Sequence, residues 1–172
     1  TEGGRFYGPW WQNIQSWLRA AIVINEQPTI ECDYSNMHPT ILYVSKGLRP
    51  PSDSYGGIIK LENTDNPLRP DGRSVVKRAF NAMLNAKAEL KRPPQGLGLS
   101  AFGIKWRDLS QRIIEKHAPI ADAFYTGQGL RLQHEDSLIA EQVMLHFAVD
   151  DIPVLPVHDS FIVASQHREQ MV

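Results

Sequence analysis

Two short apolar segments, far apart in the chain, constrain the fold most, because each is typical of a β-strand that delivers an aspartate. The first runs from Thr29 to Asp33 and breaks toward a helix just beyond it. The second runs from Val154 to Val163, where a His-Asp-Ser triplet predicts a hairpin whose tight turn carries Asp159. Two carboxylates on strands that can meet in one sheet predict a site for hard divalent cations.

Composition restricts the class of protein. A chain of 172 residues that is 42% apolar and 22% charged can bury a sizeable core, as one domain or as two small lobes. Its single cysteine, Cys32, excludes an internal disulfide framework and a cysteine-rich zinc site. No apolar run approaches the roughly 20 residues of a membrane span, and the N-terminus lacks the pattern of a signal peptide. We therefore expect a soluble, cytoplasmic protein with no membrane partner.

Charge is distributed unevenly along the chain. The net charge of -1 gives no overall sign of a nucleic-acid binder, but net charge averages over faces. Basic residues outnumber acidic ones between Arg69 and Arg92, whereas acids gather from Glu135 onward. The chain begins at Thr1 without a methionine and stops inside a polar segment, so we expect a fragment of something longer, with further domains or subunits.

The segment before Asp33 predicts an antiparallel hairpin. Residues 16–24 are largely apolar, and turn residues 25–28 lead into the Asp33 strand. Strand alternation places Glu31 on the same face as Asp33, and Cys32 on the opposite face. Glu31 is either an accessory carboxylate or an ordinary exposed strand residue.

The clearest helix follows Pro70-Asp71-Gly72 and is predicted over residues 73–90. One of its faces repeats every four residues and carries Arg73, Lys77, Asn81 and Asn85. Such a face is normally a solvated charged surface. An Arg and a Lys one turn apart can also grip successive phosphates, the Arg by bidentate hydrogen bonds and the Lys as a point charge. The order of residue types favours phosphate binding.

Three further helices are predicted. A short one begins near His38 and ends at Gly47. Another covers residues 106–125, with a bend near Pro119. The third covers residues 132–148, and its predicted buried residues are Leu138, Ile139, Val143, Met144 and Phe147.

At four places the sequence resembles DNA polymerase I-like (family A) enzymes and single-subunit phage-type RNA polymerases. Asp33-Tyr34-Ser35 is similar to the D-Y-S that opens the first palm motif of the DNA enzymes. Arg73-Ser74-Val75-Val76-Lys77 resembles their fingers-helix R-x-x-x-K, and is closer still to the R-S-V-x-K-R of the RNA enzymes. Val157-His158-Asp159-Ser160-Phe161 resembles the third motif, which is H-D-E in the DNA enzymes and H-D-S-F in the RNA enzymes. Gly4-Arg5 with Gln12-Asn13-Ile14 resembles the G-R and Q-N-I segment ahead of the palm. Four motifs in the family's order are a far stronger signal than any one of them.

The resemblance implies an α+β fold, in which an antiparallel palm sheet is flanked by helices and joined to a small helical fingers lobe. Residues 1–50 would form the first part of the palm and residues 132–172 the second part. Residues 51–131 would form reduced fingers that contain the nucleotide-binding helix. The implied function is that of a template-directed nucleotidyltransferase, with DNA polymerase favoured, which adds nucleoside triphosphates to a primer on a nucleic-acid template.

The family's reaction is an in-line attack of a primer 3′-hydroxyl on an α-phosphorus, assisted by two Mg²⁺ ions about 4 Å apart, for which Mn²⁺ can substitute. The resemblance implies that the metal ligands are Asp33, Asp159 and the backbone carbonyl of Tyr34. Lys77 would stabilise the leaving group or act as its acid. The nucleotide would also be contacted by Arg73, Asn81, Asn85, His38 and Tyr34. The primer-template would be contacted by Arg5, Gln12, Asn13, Gln133 and His158.

Three features depart from the family's pattern. Asn85-Ala86 stand where the fingers helix of the family has an aromatic-Gly pair, so base selection must differ or the helix is shifted. His38 stands where the DNA enzymes have Glu and the RNA enzymes a small residue. Its bulk can exclude a ribose 2′-hydroxyl and its ring can hydrogen-bond one, so DNA is favoured while RNA polymerase or primase activity stays open. The resemblance implies short fingers, and we expect a core that lacks the family's thumb and exonuclease.

Two alternatives come from other classes of function. One is a catalytically silent palm that only binds nucleic acid. The other is a metal-dependent phosphohydrolase that uses the same two aspartates.

Overall fold

The computed structural model describes residues 6–59 and 71–171, and the chain divides into two compact units. The first unit comprises Thr1–His38 and Arg131–Val172, and the second comprises Pro39–Leu130. The corresponding boundaries predicted from the sequence follow residues 50 and 131. The names palm and fingers stay predictions for these units.

Helices and an antiparallel sheet together make a mixed helix-and-strand chain, as predicted. The helices are, in chain order, α1 (Trp10–Asn13), α2 (Ser16–Arg19), α3 (Met37–Val44), α4 (Gly72–Asn85), α5 (Trp106–Lys116), α6 (Gly129–Val149) and α7 (Arg168–Met171). The strands are β1 (Val23–Ile24), β2 (Gln27–Asp33), β3 (Val154–Val157) and β4 (Ser160–Ala164). Short 3₁₀ segments are found at Leu99–Phe102, Ala118–Ala123 and Ser165–His167. In the described ranges, every helix is too short or too polar to cross a membrane.

The four strands form an antiparallel sheet in the order β1-β2-β4-β3. The predicted hairpin before Asp33 is confirmed, because β1 pairs with β2 across a two-residue turn. Both turn residues, Asn25 and Glu26, have left-handed backbones with φ of 50° and 64°, as a type I′ turn requires. Strand β1 is shorter than predicted, since residues 16–19 form the helical turn α2.

Alternation along β2 sorts its side chains as predicted. Cys32 and Tyr34 pack against a buried cluster that includes Phe147 of α6 and Phe161 of β4. Asp33, which lies between them in sequence, is exposed. The strand therefore anchors itself through one face and leaves its terminal carboxylate outside this core.

Helix α4 confirms the predicted apolar stripe, whose members Val76, Phe80, Met83 and Leu84 are all buried. The helix begins after Asp71, which acts as the N-cap. Its carboxylate accepts hydrogen bonds from the backbone N–H groups of Arg73 and Ser74, both at 3.1 Å.

The predicted extension of α4 to residue 90 is wrong. The helix ends at Asn85, because Ala86 has an extended backbone with φ of −69° and ψ of 141°. The backbone N–H of Tyr125 donates to the carbonyl of Met83 at 2.7 Å, and that of Gly127 donates to Ala86 at 2.9 Å. In a longer helix these carbonyl groups would accept from N–H groups four residues further on. Here the N–H groups of Tyr125 and Gly127 take that place.

The predicted helix over residues 106–125 consists of two segments. Helix α5 ends at Lys116, and the 3₁₀ segment Ala118–Ala123 follows after His117, which has φ of −108° and ψ of 31°. The break lies near the predicted bend, because Pro119 has no N–H to donate and disfavours helical backbone before it.

Helix α6 is confirmed, and Phe147 is buried in it. The prediction that Leu138 and Ile139 are buried is wrong, since their exposed fractions are 46% and 40%. Together with Tyr34 they line an open, largely apolar groove of about 440 Å³ in the first unit. Helix α6 therefore has an apolar side that the other described residues of the first unit leave partly exposed.

The core of the second unit includes an aromatic cluster around His117. Phe80 of α4 contacts His117 and Phe124 edge-on, with ring centroids 5.0 and 5.2 Å apart. The Nε2 atom of His117 lies 2.8 Å from the carbonyl oxygen of Ser54, and Nδ1 lies 3.2 Å from the hydroxyl of Tyr43. Because a carbonyl only accepts, Nε2 carries the hydrogen and Nδ1 accepts from Tyr43. Burial lowers the pKa of His117, which favours the neutral ring.

Candidate active site

The sheet brings the two predicted aspartates together at one end of β2. Strands β3 and β4 pair Val157 with Ser160, so that His158 and Asp159 are the two loop residues of their hairpin. The register of β2 against β4 makes Ser160 the direct partner of Asp33. Direct partners lie about 5 Å apart and consecutive Cα atoms about 3.8 Å, which places the Cα atoms of Asp33 and Asp159 within roughly 9 Å.

A backbone hydrogen bond fixes this arrangement further. The N–H of Tyr34 donates to the carbonyl of Asp159 at 3.1 Å, one residue beyond the last ladder position. Asp33 is exposed and Asp159 half-buried. The predicted hairpin with Asp159 in its tight turn is therefore confirmed, and both carboxylates lie at the same end of the sheet.

The donor set suits Mg²⁺ chemistry. Mg²⁺ prefers oxygen ligands, keeps several waters, and is usually held by one or two carboxylates together with substrate phosphates. Asp33, Asp159 and the carbonyl of Tyr34 would supply oxygen atoms of that kind. Over the described ranges there is no cluster of three His, Cys, Asp or Glu side chains that could hold a metal by itself. Substrate oxygens or waters would have to complete any coordination shell here.

The side chain of Tyr34 lies in the core. Its hydroxyl donates to the carbonyl of Met171 at 2.6 Å, and its ring contacts Phe161 edge-on at 5.7 Å. Burial raises the pKa of this phenol, and the neighbouring Cys32 adds to the shift. The predicted roles of Tyr34 in metal and nucleotide binding would thus fall to its backbone.

Sequence reasoning missed an ion pair beside the aspartates. Arg19 donates from Nε to Oε2 of Glu31 at 2.8 Å and from Nη2 to Oε1 at 3.0 Å. The hydroxyl of Ser160 donates to Oε1 of Glu31 at 2.6 Å. Partial burial works to raise the pKa of Glu31, but the hydrogen bonds from Arg19 and Ser160 outweigh it and lower the pKa. Glu31 therefore links Arg19 of α2 to Ser160, the strand partner of Asp33. Its two partners lie 12 and 129 residues away in the sequence, so no local pattern could reveal these bonds.

His158 occupies a strained position in the turn. Its φ is 55°, a left-handed backbone that few non-glycine residues adopt. The imidazole is exposed and contacts Tyr7 edge-on, with ring centroids 6.0 Å apart. A predicted primer-template contact thus lies next to Asp159, on the surface.

The other predicted primer-template residues differ in how far they are already engaged within the chain. Gln12 uses its amide nitrogen to bind the carbonyls of Phe6 and Pro156, both at 2.9 Å, and so holds the N-terminal segment against β3. Asn13 donates to Pro9 at 3.3 Å. Gln12 thus uses both of its amide hydrogens within the chain, so a nucleic-acid contact by Gln12 would need its side-chain oxygen. Gln133 is half-buried on α6, and Arg5 lies outside the described residues.

The predicted phosphate-binding residues lie on α4, in the second unit. Arg73 donates from Nε to both carboxylate oxygens of Asp53, at 3.2 and 3.3 Å. Lys77 is exposed. No hydrogen-bond or ion-pair partner is found for Lys77 in the described part of the chain. Asn81 is half-buried, and Asn85 donates to its carbonyl at 2.8 Å. Of the two cations, Arg73 is paired with a carboxylate, whereas Lys77 has no described partner. The sequence did not indicate that Asp53 would pair with Arg73.

Comparison with protein-family models, curated proteins and solved structures found no match to this chain. The case for a function therefore depends on the residues themselves.

His38, predicted to face the sugar of the nucleotide, lies half-buried in the first turn of α3.

Proposed function

We propose that the chain is a template-directed nucleotidyltransferase and that Asp33 and Asp159 are its metal ligands. The observation that carries this proposal is the pairing of Asp33 with Ser160, which brings Asp159 beside Asp33 at the end of the sheet. A pure nucleic-acid binder gains nothing from two adjacent carboxylates, because they repel phosphate. A metal-binding site gains the charge that hard cations require.

Each residue has a defined task in this proposal. Asp33, Asp159 and the carbonyl of Tyr34 would hold two Mg²⁺ ions, or Mn²⁺ in their place. When bound, such ions would lower the pKa of the primer 3′-hydroxyl and offset the charge of the departing pyrophosphate. Arg73 and Lys77 would bind the phosphates of the nucleoside triphosphate, the first as a planar fork and the second as a point charge.

The nucleic acid would be held mainly through its backbone. His158 next to Asp159, and Gln133 on α6, are the described candidates for contact with the primer-template. DNA synthesis is favoured because a histidine at position 38 is bulky enough to exclude a ribose 2′-hydroxyl. RNA polymerase or primase activity is the alternative within the same reaction class.

Primer extension on a defined template tests the proposal. The wild-type chain should add nucleotides in the presence of Mg²⁺ or Mn²⁺. Asp33→Asn and Asp159→Asn, which keep the side-chain shape but remove the charge, should each lower the rate by at least about a hundredfold. Asp150→Asn is the matched control, because Asp150 is an exposed carboxylate of the same unit away from the hairpin turn.

Two results would contradict the proposal. One is a wild-type chain that extends no primer with either dNTPs or rNTPs and either metal. The other is extension that survives both aspartate substitutions, with circular dichroism showing that all variants are folded.

A further inference from the structure

Residues 53–58 form a segment that α5 holds by its backbone. The ammonium group of Lys116 donates to the carbonyls of Asp53, at 2.8 Å, and of Gly56. The neighbouring His117 donates from Nε2 to the carbonyl of Ser54 at 2.8 Å. Three carbonyls within four residues are thus bound by two consecutive side chains at the end of one helix. The segment is fixed in place although it has no regular secondary structure.

The carboxylate of Asp53 is aligned within this segment. The backbone N–H of Tyr55 donates to its Oδ1 at 3.0 Å. That bond is the largest influence and lowers the pKa of Asp53. Burial comes next and opposes it, while the N–H of Gly56 and the Arg73 guanidinium lower the pKa further. Asp53 is therefore ionised at neutral pH and has a set orientation.

The Arg73 side chain makes both of its described contacts with this segment. Its Nε donates to Asp53, and its guanidinium carbon lies 5.4 Å from the centroid of the Tyr55 ring. Tyr55 is itself 3% exposed and contacts Phe80 edge-on at 5.6 Å, so the ring that receives the cation is part of the core.

These contacts use only the inner nitrogen of the guanidinium. In the described part of the chain, Nη1 and Nη2 of Arg73 have no hydrogen-bond partner, and the side chain is 44% exposed. The two terminal nitrogens form the fork that binds phosphate or carboxylate in a bidentate way. The ammonium group of Lys77, one helical turn further on, is exposed as well.

We propose that Asp53 and Tyr55 are positioning residues, which hold the Arg73 guanidinium so that its terminal nitrogens bind a phosphate group of a nucleoside triphosphate. The inference rests on the proposed function, of which it names the phosphate-binding part. An unrestrained arginine loses rotamer freedom when it binds, and ordering it beforehand removes that cost from the binding step. The Asp53 charge opposes an incoming anion, but at this exposed site solvent screens that repulsion.

Equilibrium titration with inorganic tripolyphosphate tests the proposal without primer or template. Asp53→Asn keeps an oxygen that can accept from the Tyr55 N–H while it removes the charge that holds Arg73. We expect it to weaken tripolyphosphate binding about threefold to tenfold, and Arg73→Ala to weaken it at least about tenfold. In the Arg73→Ala background, Asp53→Asn should have no further effect, because its action passes through Arg73.

Four further variants sharpen the test. Asp122→Asn removes another exposed carboxylate that pairs with a cation, Lys46, in the same unit, and it should leave binding unchanged. Tyr55→Phe keeps the ring and Tyr55→Leu removes it, so the leucine variant should bind more weakly than the phenylalanine one. Arg73→Lys keeps the charge without the fork. It should bind weakly, and Asp53→Asn should have no effect in its background.

The outcomes separate this inference from the proposed function. The positioning role is overturned if Asp53→Asn binds tripolyphosphate as tightly as the wild type or more tightly. It is also overturned if Asp53→Asn weakens binding equally with Arg73 present and absent, or if the wild type does not bind tripolyphosphate. A chain that shows the expected titration pattern but never extends a primer contradicts the polymerase proposal alone.

Discussion

The backbone N–H of Tyr34 donates to the carbonyl of Asp159 across 125 residues of sequence, at 3.1 Å. This bond joins the first residue after β2 to the turn between β3 and β4. The aspartate that precedes Tyr34 and the aspartate that accepts its bond are the two carboxylates singled out from the sequence. Their proximity is therefore set by main-chain pairing, and we expect it to survive substitution of either side chain.

Glu31→Gln should destabilise the first unit by about 1 kcal/mol at neutral pH, because it weakens the bidentate bond to Arg19. The pKa of Glu31 is lowered in the fold, so its contribution is present above its ordinary pKa and is lost as the pH falls through the folded value. Urea unfolding at neutral and acidic pH measures both effects. Glu26→Gln, in the exposed turn, is the control; an equal loss in both variants would contradict a specific role for Glu31.

His117 should also make stability fall as the pH decreases, but in a less acidic range than Glu31. Burial lowers its pKa in the fold, so between the folded value and its ordinary value near 6.5 the unfolded chain binds more protons. Stability should thus be complete above about pH 6.5 and fall as the pH decreases below it. Thermal unfolding followed against pH should show this loss in the wild type and in His146→Gln, an exposed control, but much less of it in His117→Gln.

His158→Gly should leave the hairpin as stable as in the wild type or stabilise it by up to about 1 kcal/mol, because glycine adopts a positive φ without strain. His158→Ala keeps the strain and loses the contact with Tyr7, so it should be the less stable of the two. If the imidazole contacts the primer-template, both variants should bind it more weakly by a similar factor. Unfolding free energies and DNA titrations separate the two effects, and a glycine variant less stable than the alanine one would contradict the backbone explanation.

Gly129→Ala should be destabilising only while Asn85 is present. A Cβ at position 129 would lie 1.7 Å from the Asn85 amide oxygen, so that side chain must move and give up its bond to Asn81. In an Asn85→Ala background the same change should stabilise the protein by up to about 1 kcal/mol, since alanine is the better helix former. A double-mutant cycle from chemical denaturation checks this reversal of sign, and additive effects would contradict it.

His38→Gly should reduce discrimination against ribonucleotides if His38 excludes the 2′-hydroxyl. Single-nucleotide incorporation with matched dNTP and rNTP gives the ratio directly, and we expect it to change at least about tenfold in favour of the rNTP. A loss of both activities by the same factor would assign His38 a structural role in α3. A ratio that already favours the rNTP in the wild type would support the RNA polymerase alternative.

Local patterns in the sequence were enough for several elements. The turn residues 25 and 26 determine the first hairpin, the four-residue apolar spacing determines α4, and the two residues between β-branched runs determine the turn that carries Asp159. These features depend on backbone preference and on side-chain periodicity, both of which act over a few residues.

Other features needed the folded chain. Helix α4 ends at Asn85 although its residues would allow it to continue, because donors from residues 125 and 127 replace the helical hydrogen bonds. The pairing of Arg73 with Asp53 and that of Arg19 with Glu31 join charges 20 and 12 residues apart, where sequence spacing carries no information.

The sequence by itself determined that Asp33 lies at a strand end, that Asp159 lies in a hairpin turn, and that Arg73 and Lys77 share a helix face, because these are properties of local geometry. Only the tertiary structure decided that Ser160 lies opposite Asp33, that Glu31 is engaged by Arg19, and that Asp53 holds Arg73. The physical reason is that strand register and ion pairing are settled by which distant groups packing brings within hydrogen-bond distance, and many pairings satisfy the same local pattern.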